Sequence, residues 1–414
     1  MGKPKYLGKL ISVDEAVKLV LEKARLELST KLIDIYNALN HVLAEDIYAL
    51  YDAPAYDRSA VDGYAVRSID TIGASPLNPA ILRVKGSIGP GDDPRKYSVG
   101  ENEAVEITTG APLPPGADAV VMYEDTHRIN DFVEIYKAVP MYANVSRKGE
   151  DYKKNELLVK SNTLLTDRFL AIIASTGIRK VRVYEKIRIG LITTGDELVE
   201  PGHELRPGKI YNSTSILVKT YLEKHAPFTL VRYYGIYPDN YNVLAEVLSK
   251  ALNENHIVIT TGGTGVSGED VIRDVIEDNG EWIFRGVALR PGRPTSSALV
   301  NKKLVFMLSG FPVAAWAALE SIVLRTIYLL HGLNPPSRCS VKARLIRRVP
   351  NTIGYRTYIR VSINEDKDKG LIAEPYMLKG SGILSSLTKS NGYIVLRENV
   401  EGYEEDSIVD VYLL

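Results

Sequence analysis

The residues of this chain best placed to do chemistry are carboxylates that follow short β-branched runs. Ile257-Val-Ile-Thr-Thr-Gly-Gly-Thr-Gly-Val-Ser-Gly-Glu-Asp270 starts as a strand-like run, turns on glycines and ends in Glu269 and Asp270 as a helical pattern begins. A strand, a glycine loop and a helix in succession bring backbone N–H groups to phosphates. Gly263, Gly265 and Gly268 satisfy the GxGxxG dinucleotide spacing, but two acids at the loop mouth would repel a bare pyrophosphate. A divalent cation between carboxylates and phosphate reverses that repulsion. The loop is therefore predicted to be a metal-bridged phosphate site. Ile-Thr-Thr-Gly occurs also at 107–110, where it carries Thr109, and at 192–195, where Thr194 and Gly195 precede Asp196 and Glu197. Asp239 follows another strand-like run, and Asp52, Asp57 and Asp62 crowd one irregular loop, where they either cap turns or line a site. In Arg290-Pro-Gly-Arg293-Pro294, two prolines and a glycine stiffen the backbone. The arginines are either fixed donors for a tetrahedral oxyanion or surface charges on a turn.

These residues need a scaffold. With 414 residues, two to four domains are expected. Lys+Arg 51 against Asp+Glu 51 argues against bulk nucleic-acid binding. The single cysteine, Cys339, excludes a disulfide framework or thiolate cluster, and the histidines lack ligand spacing. No signal-peptide stretch or membrane span is read, so the cytoplasm is expected.

Ser12-Val-Asp-Glu15 reads as a capping box opening a helix, and 163–177 as a helix ending at Gly177. Residues 66–140 read as a small β-module, and the charge-dense Arg147–Asp151 turn as a solvated face. From 187 to 332, strand-like runs at 187–193, 229–235, 256–261, 282–289 and 303–308 alternate with helical patterns at 213–224, 240–254, 270–278 and 312–331. That alternation predicts a mostly parallel sheet covered on both faces, with ligands beyond the strands' carboxyl ends. The 312–331 helix is apolar almost all round, so Trp316 is read as core. Asn334-Pro-Pro336 reads as a linker to a further β-domain.

Taken in order, SAVDGYA (59–65), EITTGAPLPPGADAVVM (106–122), RKGED (147–151), TTGDELVEPG (193–202), TTGGTGVSGED (260–270), ALRPGRP (288–294) and SGFPVAA (309–315) resemble the MoeA family of molybdopterin molybdenumtransferases. The resemblance implies a multi-domain α/β and β protein. A discontinuous helical N-terminal domain (1–54 and 141–178) would hold an inserted β-domain (55–140). A three-layer α/β molybdopterin-binding domain (179–333) and a C-terminal β-barrel (334–414) would follow. It implies a homodimer whose cleft lies between subunits. The reaction implied is Mg²⁺-dependent insertion of molybdate or tungstate into adenylylated molybdopterin with release of AMP, the adenylylated pterin coming from an adenylyltransferase partner.

Carried over residue by residue, Asp62 and Thr109 match the inserted domain's site, and Glu197, Asp239 and Asp270 that of the α/β domain. Arg290 and Arg293, before Pro294, stand where lysines usually bind the oxyanion, with Arg360 and Ser381 as weaker matches for anion contacts. In chemical terms Asp270 and Glu197, with Asp196 and Asp239, would hold Mg²⁺ against the pyrophosphate, while Gly262 and Gly263 let N–H groups approach the pterin phosphate. The chain departs from the family at GGTG, at Gly286, at both arginines and at Ala314. Two further classes stay open. One is a pterin-binding scaffold without catalysis. The other is a nucleotide-dependent oxidoreductase, for which Leu289-Arg290-Pro291 stands where that fingerprint expects an acid.

Overall fold

The computed structural model describes residues 10–263, 271–376 and 380–414. Glu269 and Asp270 fall outside the described residues. The chain divides into two compact units, one made of Glu45–Ser161 with Asp167–Val181, the other of the remaining segments.

In the first unit, β1 (Gly63–Val66), β2 (Ala80–Ile88), β3 (Glu103–Ile107), β4 (Ala119–Met122), β5 (Thr126–Ile129) and β6 (Phe132–Ile135) form one sheet of order β4-β1-β3-β2-β6-β5. Alternate residues serve two cores, Tyr64 and Val66 on one side and Ala65 on the other, as period-two strands require. Gly63 pairs with Ile107 and with Met122, and a Cβ there would stand 1.9 Å from the Val121 carbonyl oxygen. That close approach fixes where β1 starts, and so where Asp62 sits. Asp52 accepts from Lys154 N–H and Asp57 from Lys148 N–H, each at 2.7 Å, so Asp57 caps the charge-dense turn and Asp52 the backbone just past it. Helix α2 (Asp167–Ser175) is closed off by Gly177 at φ +83°.

The second unit contains α1 (Val13–Lys23), whose N-cap Ser12 Oγ accepts from Glu15 N–H at 3.2 Å. Its main sheet has the order β8-β7-β9-β13-β12-β10. The strands are β7 (Ile187–Thr194), β8 (Thr229–Tyr237), β9 (Ile257–Thr261), β10 (Gly280–Arg285), β12 (Ser296–Val300) and β13 (Lys303–Leu308). The first four in that order run parallel, and β12 and β10 join antiparallel. α3 (Thr214–His225) and α6 (Pro312–Leu330) share one core with Ile187, Ile189 and Leu191. α4 (Tyr241–Glu254) and α5 (Val271–Asn279) share the opposite core with Ile192 and Val258. This is the three-layer arrangement that the strand and helix alternation predicts. Helix α6 is long and apolar enough to cross a membrane, yet 78% of that stretch is buried inside the protein, and Trp316 is part of the core.

The C-terminal strands β14 (Ser340–Leu345), β15 (Arg356–Asp366), β16 (Gly370–Pro375), β17 (Gly392–Leu396) and β18 (Ile408–Leu413) close into a barrel, because β15 pairs with both β16 and β17. The expected strand 282–289 is corrected here. The α/β sheet keeps only residues up to Arg285, Gly286 turns the chain at φ +86°, and Leu289–Arg290 form a separate strand, β11. β11 pairs in parallel with barrel strand β15, Arg290 opposite Thr357. The barrel thus takes a strand from the α/β domain's own chain.

A buried ionic node also joins the two. Glu320, on a π-helical turn of α6, accepts from Arg338 Nε (2.8 Å) and Nη2 (2.6 Å), from Tyr393 Oη of the barrel (2.6 Å) and from Tyr221 Oη. Burial raises the affinity of Glu320 for a proton, but these donors outweigh it, and the carboxyl stays below its ordinary range. Removing either partner of such a pair costs about 3–5 kcal/mol. Arg338 Nη1 also faces His225 Nδ1 at 2.9 Å. Burial, then the Arg338 charge, lower the His225 pKa from 6.5 to about 4. A histidine held neutral contributes stability that is complete above its unfolded pKa and is lost as pH falls toward 4. His225→Asn, which keeps an acceptor for Arg338, is expected to flatten the fall in calorimetric unfolding temperature between pH 6.5 and 4. An unchanged slope would place the acid sensitivity elsewhere.

Candidate active site

Neighbouring strands β7 and β9 bring two of the three Ile-Thr-Thr-Gly ends together. Their register sets Thr193 opposite Thr261, with the hydroxyl oxygens 3.0 Å apart. Gly262 follows at φ +95°, where a Cβ would lie 2.0 Å from the Thr194 carbonyl oxygen, and Gly310, just past β13, packs against Gly262. Thr214 Oγ1 donates to the Gly310 carbonyl at 2.6 Å. Backbone on backbone, these turns leave a cavity of about 190 Å³ at the carboxyl edge of the sheet, lined also by Tyr211, Asn212 and Phe311. Gly263 closes the described part of the glycine loop.

The acids sit beside this edge. Gly195 donates to the Tyr237 carbonyl at 3.2 Å, at φ +146°. The Glu197 carboxylate folds back over it, so closely that a Cβ on Gly195 would lie 2.7 Å from Oε2. Lys209 Nζ holds the Asp196 carbonyl, and Asp239 N–H points to Asp196 Oδ1 at 3.4 Å. Asp239 Oδ1 is buried and, among the described residues, meets no hydrogen-bond partner. Burial first, then the charges of Asp196 and Glu197, raise its proton affinity, and the nearby Thr194 hydroxyl tempers the shift. A buried, unsatisfied carboxylate oxygen beside two like charges is chemistry that a hard cation relieves. Among the described residues, no three Asp, Glu, His or Cys side chains close tightly enough to cage a metal alone. Oxygen donors beyond this set must complete any such site.

In the first unit, Asp62 Oδ1 accepts from Thr109 N–H (2.7 Å) and Thr109 Oγ1 (2.9 Å), and these bonds, the backbone one first, lower its pKa. Tyr123, which sequence reasoning missed, stands beside them. Its N–H donates to the Asp62 carbonyl at 3.3 Å, and its phenol to Glu106 Oε1 at 2.8 Å. The only signal in the sequence is its position one residue past β4.

A second cavity, of about 480 Å³, brings together Arg290, Arg360 and Ser381 with Thr352 and Thr357. Arg360 is only 3% exposed; its Nε meets Ser386 Oγ at 3.2 Å, and burial lowers its pKa. The Ser381 carbonyl accepts from Val313 N–H at the start of α6. Arg293 does not line this cavity. It is exposed, and its carbonyl accepts from Val287 N–H at 3.0 Å. The Pro294 carbonyl accepts from Arg273 and from Ser296 Oγ, so the Arg293-Pro294 pair braces the turn that presents Arg290.

A largely parallel α/β sheet with acids and glycine turns at its carboxyl end is thus joined to a β-barrel through an arginine-bearing strand. Residues 11–177 match the MoeA N-terminal region (domain I and II), 190–328 the probable molybdopterin binding domain, and 342–414 the MoeA C-terminal region (domain IV). A putative molybdopterin biosynthesis protein of Methanocaldococcus jannaschii is 38% identical, covering 99% of this chain and 100% of that one. A molybdopterin molybdenumtransferase of Staphylococcus epidermidis is 34% identical, covering 97% and 95%. The crystal structure of the molybdopterin biosynthesis moeA protein of Pyrococcus horikoshii OT3 superposes with a TM-score of 0.85 at 34% identity, covering 98% of this chain and 100% of that one. The chain belongs to the MoeA family, and is an enzyme of molybdenum cofactor biosynthesis.

The like-charge arrangement has a direct readout. Asp196→Asn and Glu197→Gln are each expected to lower the Asp239 pKa, measured by carboxyl-carbon NMR titration, because each removes a charge opposing its ionisation. An Asp239 titration that does not move in either variant would show that burial alone sets it.

Proposed function

We propose that this chain is a molybdopterin molybdenumtransferase that inserts molybdate or tungstate into adenylylated molybdopterin, with Mg²⁺, and releases AMP. The observation that carries the reading is Asp239. Among the described residues its buried Oδ1 has no hydrogen-bond partner, and two further acids crowd it; Asp196 lines a cavity of about 660 Å³ that adjoins the 190 Å³ one at Leu198. A pyrophosphate cannot approach such a cluster without a cation.

Mg²⁺, when bound, would neutralise the anhydride and the charge that develops as AMP leaves. Glu197, Asp239 and Asp196, with Asp270, would supply its oxygen ligands. Thr194, Gly195, Gly262 and Gly263 would let the phosphate approach the backbone closely, a role that Gly262 suits because its Cα faces Gly310 with no side chain between. Arg290, Arg360 and Ser381 would hold the oxyanion while the dithiolene sulfurs replace oxygen on its molybdenum or tungsten, the displaced oxygen leaving as water with the thiol protons, and Arg293 and Pro294 would shape the turn. Asp62 and Thr109 would complete the cleft from the partner subunit of a homodimer. A cytoplasmic enzyme fed by an adenylyltransferase goes with this reading.

The test is incubation of the purified protein with adenylylated molybdopterin, Mg²⁺ and molybdate, following AMP release. Asp239→Asn is expected to cut turnover about 10²-fold while leaving the unfolding temperature near that of the unmodified protein. Tight binding of the pterin with no AMP from the unmodified protein would support the scaffold reading instead.

A further inference from the structure

Arg290 lies exposed at the 480 Å³ cavity, yet one loop of the barrel grips its guanidinium from two directions. Nη1 donates to Thr352 Oγ1 at 2.6 Å, and the guanidinium carbon stands 4.0 Å from the centre of the Tyr355 ring. The ring fixes the tilt of the planar cation, and the hydrogen bond fixes its rotation.

Neither restraint is slack. Arg290 pairs with Thr357 in the β11–β15 ladder, and Arg356 N–H donates to the Ala288 carbonyl at 2.9 Å. The gripping loop is itself braced by Asn351. Its Nδ2 donates to the carbonyls of Tyr355 (2.9 Å), Arg397 (3.2 Å) and Val400 (3.0 Å), and its Oδ1 accepts from Thr357 Oγ1 at 2.6 Å. With Nη1 bonded to Thr352 and one face on Tyr355, the other N–H groups of the guanidinium meet no acceptor among the described residues.

We propose that Thr352 and Tyr355 are positioning residues that hold the Arg290 guanidinium as a fixed donor to a tetrahedral oxyanion in this cavity. The inference rests on reading the cavity as the oxyanion site. It adds that the barrel loop, as well as the arginines, sets affinity. It also gives a reason for arginine at 290. A lysine carries the same charge as a compact, freely turning ammonium, which has no planar face to lay on Tyr355. The effects of changing Tyr355 and Arg290 must therefore depend on one another.

The experiment is calorimetric titration of the full-length protein with sodium molybdate and, separately, sodium tungstate, without pterin. Tyr355→Phe keeps the ring and is expected to bind within about twofold of the unmodified protein. Tyr355→Leu keeps apolar bulk but removes the π face, and is expected to weaken binding about 5- to 10-fold. Thr352→Val should weaken it similarly, and Thr352→Ser should restore it. In the Arg290→Lys background, adding Tyr355→Leu should cause no further loss. Unmodified protein that binds while Tyr355→Leu and Thr352→Val bind equally well would overturn the clamp alone. So would a Tyr355→Leu loss that is the same with or without the Arg290→Lys change, which would mark a packing role. If the unmodified protein binds neither oxyanion, the reading of the cavity falls, and the clamp with it.

Discussion

Two residues, Leu289 and Arg290, leave the α/β domain's sheet and pair with a strand of the barrel. A parallel ladder of this kind fixes both the direction and the offset of the partners, because shifting it by one residue would turn every side chain to the opposite face. Arg290 is thereby held opposite Thr357, on the strand that three residues later supplies Arg360. The arginine cavity exists because of that register. The Glu320–Arg338 node locks the same two parts together from another side, through Tyr221 and Tyr393. An ion pair so buried adds little net stability over an apolar substitute, but it is costly to break. Its effect is to favour one placement of the barrel.

At the sheet's carboxyl edge the constraint is different in kind. Thr193 and Thr261 are brought side by side, and Gly262 is pressed against the Thr194 carbonyl, so no side chain fills the edge. Ligand space is what remains. Beside that space Asp196 and Glu197 crowd Asp239 with like charge, and with its burial they raise the proton affinity of Asp239. In the function proposed above, affinity for a cation and affinity for a phosphate would be one property, because acids that oppose the phosphate alone would hold it through a bound metal.

Much of this was legible in the sequence for a simple reason: a buried parallel strand must be a β-branched run, and the residues just past its end must be small or polar. The strands at 187–193 and 256–261 could be read on those grounds. The same logic misjudged 282–289, where two short apolar runs on either side of Arg285-Gly286 serve two different sheets, since burial looks alike in both. Arg293 looked equivalent to Arg290, but the turn sends only one of them into the cavity. Thr352, Tyr355 and Tyr123 were invisible because their partners are distant in sequence, and a threonine or tyrosine in a loop carries no pattern. Asp52 and Asp57 show the converse: acids that could have capped turns or lined a site accept from backbone N–H groups.

The central claim is that the seam between the α/β domain and the barrel is where the oxyanion is held. Anomalous diffraction at the tungsten edge, from crystals of the full chain soaked in tungstate, tests it most directly. The expected result is one dominant peak in the cavity lined by Arg290, Arg360 and Ser381, and its loss in crystals of Arg290→Ala. A dominant peak at Arg293, or at the acids beside Gly195, with that cavity empty, would contradict the account.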